Sequence, residues 1–256
     1  MAEADDRPLL GCAGMRGPLD VYARRFDVLE LDVLDSKKEP KPSTMRKWRT
    51  DAGPNLRIAI VAPRAAALVK PSPALDAGLV KLLEAQRLLQ AQHIVLNTPI
   101  DVTPGALNRE RLAALVARIR EGLGEAQNAV RIAWAPRGVW ENEDAVRHAE
   151  SMDVELALDP LADPREPFWH SRMRYLRLSA VGGRMVFPPT RLRWLAEMLV
   201  EHPSPGRVVV FATPNAPKEA RMLGKLLAPQ AKTTGGGHGT VLRPRGAAAL
   251  GREEEE

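Results

Sequence analysis

The sequence predicts an α/β fold, a TIM-type (β/α)8 barrel in a single domain, and three observations lead there. Short runs rich in Val, Ile and Leu recur between longer amphipathic stretches, the pattern of buried parallel strands joined by crossover helices. Eight such runs can be counted, the number that closes a barrel. At 256 residues with 45% hydrophobic content, the chain can bury one full core, and barrels of this kind occupy this length as one domain.

The elements follow in order. The first two strands are expected near Leu9–Ala13 and Val28–Val33. Ser43, ahead of TMRKWR, marks a helix start, and a third strand follows near Arg57–Ala62. Ser72–Gln92 is the plainest helix, leading into a strand at His93–Asn97. Asn108 precedes the helical stretch RERLAALVARIR, and strands follow near Val130–Trp134 and Val154–Asp159. Between the sixth and seventh strands Pro160, Pro164 and Pro167 remove helix donors, so Pro160–Trp169 is expected to be an irregular loop. The seventh strand is read at Tyr175–Ser179. Pro188 and Pro189 then open a helix over TRLRWLAEMLV, and Val208–Phe211 is the eighth strand. The domain reading is an N-terminal extension over 1–7, the barrel over 8–228, and a tail over 229–256. The tail is Gly-rich, ends in acids and lacks apolar periodicity, so it is expected to be disordered and dispensable.

Composition narrows the classes. One cysteine, Cys12, excludes an internal disulfide framework and suits a reducing compartment, so a cytoplasmic location is expected. Leu9–Cys12 superficially resembles a lipoprotein box, but the acidic stretch before it has no apolar segment, so no signal peptide is read. No apolar run approaches the roughly 18 residues needed to span a bilayer, and no membrane association is expected. Net charge is +5, and four of the acids form the terminal run Glu253–Glu256, so the body of the chain is more basic than that figure. Such a balance suits polyanions, nucleic acid included, without defining a site. Oligomeric state is not legible.

Chemistry in such barrels sits at the C-terminal ends of the strands. The polar residues there are Glu30 and Asp32, Arg64, Asn97, Arg137, Asp159, Arg177 with Ser179, and Thr213 with Asn215. Strand alternation puts Leu29, Leu31 and Val33 on one face and Val28, Glu30 and Asp32 on the other, the barrel interior. By the same rule Glu155, Ala157 and Asp159 point inward, as do Tyr175, Arg177 and Ser179. Two accounts stay open. Glu30, Asp32, Glu155, Asp159 and Arg177 form a structural ion-pair network filling the barrel mouth. Alternatively Arg64, Arg137 and Arg177 converge on one rim as planar bidentate donors for phosphate or carboxylate, with Glu30, Asp32 and Asp159 orienting them and Asn97 beside them.

Other constellations are weak. His93 lies at a strand start, His148 and His202 lie within or after helices, and none of the five histidines sits at metal-ligand spacing with Cys or an acid. No metal and no cofactor is expected. Cys12 reads as a small packed residue. Gly235–Gly239 lacks the Lys-Ser/Thr of a P-loop and reads as linker.

The block PLDVYARRFDVLELDVL, then STMRKWR, then LRIAIVAPR, resembles the signature of the YecE-like family, domain of unknown function 72. Echoes continue at HIVLNTP, RGVW, VELALD, RYLRL and VVVFATPNAPKEARMLGKLL, so the likeness covers about residues 8–228. It implies a TIM-type barrel and no established reaction. It also implies a distant likeness to barrel endonucleases acting on abasic DNA. This chain departs from the family pattern at the positions that would carry proton transfer. Met15 stands where the family has Trp, Val61 where it has Lys, Ala135 where it has Glu, Ser179 where it has His, and Ala212 and Thr213 where it has paired Asn. The retained set binds charge better than it moves protons. The expected function is therefore an anion-binding barrel, taking an anionic, phosphate-bearing ligand at the C-terminal rim, a small molecule or nucleic acid, and catalytically impaired. The alternatives are an active phosphoester or nucleic-acid enzyme with Glu30 or Asp159 as base, and a non-catalytic scaffold. No catalytic residue is assigned.

Overall fold

The computed structural model describes residues 7–35, 39–162, 168–179 and 186–228. Eight parallel strands close on themselves in sequence order, β1 (Leu9–Ala13), β2 (Val28–Leu31), β3 (Arg57–Val61), β4 (His93–Asn97), β5 (Arg131–Ala135), β6 (Glu155–Leu158), β7 (Tyr175–Leu178) and β8 (Val208–Phe211), with β8 pairing back onto β1. The predicted strands are met within two residues at every end; the fifth starts and ends one residue later than read. The tail over 229–256 lies outside the described residues.

Helices alternate with the strands: α1 (Leu19–Ala23), α2 (Pro42–Ala52), α3 (Arg64–Ala67), α4 (Pro73–Leu89), α5 (Ala106–Leu123), α6 (Asn142–Ser151), α7 (Pro189–Glu201) and α8 (Ala216–Leu227). α4 starts where Ser72 caps it, the Ser72 hydroxyl accepting from the Leu75 N–H at 3.2 Å. Two other starts differ from expectation. α2 begins at Pro42 after Lys41, because a proline fits the first helical turn and needs no donor there. α5 begins at Ala106, and the Asn108 amide donates instead to the Thr103 carbonyl at 3.0 Å, closing the preceding loop. Among the described residues β6 and β7 are joined without a helix, as the prolines require. No described helix is long and apolar enough to cross a membrane.

Strand alternation divides the core in two. Outward residues such as Leu29, Leu31, Ile58, Ile60, Ile94, Leu96 and Trp134 pack under the helices, while Val28, Ala59, Val61, Val95, Ala133, Ala157, Tyr175, Val208 and Val210 fill the interior. The interior residues are mostly small, which leaves room for the one large ring among them, Tyr175, fully buried. At Gly11 a side chain would run into the Val28 carbonyl, so only glycine lets β1 and β2 approach here.

Candidate functional site

Because β2 and β7 each point alternate residues inward, Glu30, Tyr175 and Arg177 meet inside the barrel. Glu30 is 1% exposed and accepts from the Tyr175 hydroxyl at 2.9 Å and from Arg177 Nε at 3.0 and 3.2 Å. A buried carboxylate survives only with such partners. Burial, then the neighbouring Glu30 charge, pushes the Tyr175 phenol far above its ordinary value, so it stays a neutral donor. Burial opposes the Arg177 charge, but Glu30 outweighs it and holds the guanidinium above its usual range. Glu30 and Arg177 are thus an ion pair inside the barrel, and Tyr175 is a third member of the cluster.

Above this plug the strand ends open into two adjoining cavities of about 280 and 210 Å3 that share Asn97 and Arg137. The larger adds Asp159, Arg177 and Ser179 with an apolar wall of Phe168 and Met173; the smaller adds Asp32, Asp35 and Arg64. Six of the seven residues singled out from the sequence therefore line one mouth, and Glu30 lies beneath it. Arg64 arrives differently than expected. It is the first residue of α3, where Pro63 has turned the chain, and its backbone N–H donates to Asp35 Oδ2 at 2.6 Å while the side chain stays exposed. Among the described residues neither the Arg64 nor the Arg137 guanidinium has an ion-pair partner, and Asn97 Oδ1 is buried without a hydrogen bond. Loss of hydration, then the Asp35 charge, raises the Asp32 carboxyl, and Arg177 partly offsets this.

Three residues take roles other than those expected. Asp159 pairs with no arginine among the described residues: its oxygens accept the N–H groups of Leu161 and Ser179, each at 2.9 Å, giving those backbone donors the partners they need. Burial raises its carboxyl while these two bonds pull it down. Glu155 is not at the mouth. It opens β6 and so lies at the opposite end of the barrel, 3.9 Å from His93 and 3.6 Å from Arg131. Thr213 bonds to Glu219, which also accepts from the Phe187 N–H at 2.8 Å, tying the loops after β7 and β8 together. Glu219 was not legible, since it sits inside an amphipathic helix where an acid normally faces water. Asp35 was missed for a similar reason, lying in a loop with no periodic signal. Cys12 packs in the helix-facing layer, and burial, against a bond with Tyr22, pushes its thiol up to about 11. Among the described residues no three His, Cys, Asp or Glu side chains converge as metal ligands.

Three of the six positions at which the chain departs from the family pattern face the same mouth: Val61 lines the smaller cavity, and Ala135 and Ser179 line the larger. The class defined by fold and mouth is a TIM-type barrel with a polar, arginine-bearing C-terminal rim. No family model matches the chain, and neither does any of the curated proteins with which it was compared. Its structural likeness is to a duf72 family protein from Enterococcus faecalis, TM-score 0.64 at 15% identity, covering 86% of this chain and 95% of that one. An L-ribulose 3-epimerase follows at TM-score 0.58 and 16% identity, over 86% and 95% of the two chains. The IolI protein, solved with a binding zinc atom, matches at TM-score 0.52 and 13% identity, over 85% and 96%. At these identities the likeness establishes the barrel fold, and the first neighbour agrees with the resemblance read in the sequence.

Proposed function

We propose that the C-terminal rim binds a phosphate-bearing anionic small molecule, and that the chain is a divergent member of the domain-of-unknown-function-72 family whose rim has kept binding groups and lost proton-transfer groups. The observation that carries this reading is Arg137: an exposed guanidinium with no ion-pair partner among the described residues, lining both cavities beside Asn97, one with Arg177 and the other with Arg64. A planar donor fork in that position suits a phosphate bidentately. Arg177, held by Glu30, supplies a fixed positive charge at the floor, and Arg64 adds a mobile one at the edge. The cavity dimensions suit a small molecule rather than a duplex.

The catalytic alternative is weaker. Glu30 is occupied by Tyr175 and Arg177, and Asp159 by two backbone donors, so neither is a free base. Thermal melting of the full chain with inorganic phosphate, phosphorylated metabolites and short oligonucleotides is the test. Phosphorylated small molecules should stabilise the parent, and Arg137→Gln or Arg64→Gln should remove at least tenfold of the affinity with an unchanged ligand-free melting temperature. Stabilisation that neither substitution diminishes, or no stabilisation by any phosphorylated compound, refutes the reading.

A further inference from the structure

A larger cavity lies at the other end of the barrel, where strands begin. It measures about 630 Å3, and among the described residues Arg120, Arg131, Arg172 and Arg174 line it against two carboxylates, Asp153 and Glu155. The strand ends at the base of a TIM barrel ordinarily serve stability, and an arginine there is ordinarily matched by an acid. Here the matching is incomplete. Asp153 serves two arginines, Arg172 at 3.0 Å and Arg120 at 3.8 Å, while Glu155 lies 3.6 Å from Arg131, beyond hydrogen-bond reach. Arg174 bonds a hydroxyl, Ser204, at 3.4 Å, and no carboxylate among the described residues.

The floor of this cavity points the same way. Glu155 Oε2 is buried without a hydrogen bond, and behind it His93, 2% exposed, has Nδ1 likewise unpartnered. Native structures seldom leave such buried groups unsatisfied unless a ligand or water completes them. A single phosphate does not need this volume, which falls in the range of sites for nucleotide-sized molecules. Four donor forks around the walls suit more than one anionic group, and the Glu155 carboxylate, which lines the same cavity, suits a hydroxyl or amino donor on the same molecule.

We propose that the base of the barrel is a second binding site, taking a multiply charged phosphorylated small molecule that also carries hydrogen-bond donors, as a nucleoside diphosphate does. Arg131 and Arg172 reach the phosphates from the exposed wall, Arg174 and Arg120 flank them, and Glu155 receives the donor at the floor. This site is independent of the rim.

Isothermal titration of the full chain with inorganic pyrophosphate and with adenosine diphosphate tests it. Both probes should bind the parent protein, adenosine diphosphate the more tightly because it alone offers donors to Glu155. Arg131→Gln with Arg172→Gln should weaken both at least tenfold, and Arg64→Gln with Arg137→Gln at the rim should leave the basal affinity intact. Glu155→Ala should narrow the difference between the two probes. Should the basal double variant fail to fold, arginine modification by phenylglyoxal with peptide mass spectrometry on the parent gives the answer: pyrophosphate should protect Arg131 and Arg172. No binding of either probe, protection confined to Arg64 and Arg137, or binding unchanged in a folded basal variant overturns the proposal.

Discussion

Replacing Arg177 by Met keeps the length of the side-chain stem but deletes the cation that faces Glu30. Of the three hydrogen bonds the Glu30 carboxylate accepts, two come from Arg177 Nε, leaving only the Tyr175 hydroxyl. Glu30 is 1% exposed and the Arg177 side chain 15%, so solvent screens little of this pair. Stranding a buried carboxylate costs about 3 to 5 kcal/mol, whereas the pair as a whole is worth much less against an apolar pair of similar volume. Arg177→Met should therefore lose about 4 kcal/mol, a melting temperature roughly 8 to 16 °C lower for a chain of this size. Adding Glu30→Met should recover more than half of that loss, with a coupling of about 2 kcal/mol or more across the double-mutant cycle. Urea unfolding followed by circular dichroism, at constant m-value, measures it. An Arg177→Met variant within about 1 kcal/mol of the parent, or losses that simply add, would refute the buried-pair reasoning. It follows that Arg177 is a poor probe of ligand binding, and that Arg137 and Arg64, both exposed, are the residues on which the rim reading turns.

Cys12 should resist Ellman's reagent at pH 8 in the native protein and react fully in urea, because a buried thiol pushed up to about 11 presents almost no thiolate; rapid native labelling would contradict this. His93 should make the protein acid-labile. Burial, then Arg57 and Arg131, lowers it to about 4, below the roughly 6.5 of an unfolded histidine, so the unfolded chain binds the extra proton between those values. Stability from this source is present above about pH 6.5 and falls as pH drops toward 4, by up to about 3 kcal/mol. Glu155, raised chiefly by burial, slopes the other way and offsets part of it. His93→Asn should flatten the decline in urea midpoints across this window, and an unchanged slope would count against the assignment.

The barrel was legible because its determinants are local. Apolar runs of four to six residues separated by amphipathic stretches specify strand and helix without knowledge of the partner, and the two-residue period of a strand assigns each side chain to the interior or the helix layer. That is why Glu30, Tyr175 and Arg177 could be placed inward, and why the rim residues could be collected from strand ends. The inward rule gives a face and not a height. Glu155 obeyed it and still lies at the base, because it starts its strand where Asp159 follows the end of it.

From the sequence alone came the fold class, the inward faces and most of the residues of the rim. Only the tertiary structure decided which charges are matched. Glu30 and Arg177 stand 147 residues apart, and they meet because closure of eight strands brings β2 and β7 to face one another across an interior kept open by small residues. The same closure sets Arg64 and Arg137 above them, without an ion-pair partner among the described residues, and gathers Arg131, Arg172 and Arg174 with Arg120 at the opposite end. Periodicity acts over a few residues, while charge pairing acts across space over a few ångströms, and only the closed barrel converts one into the other.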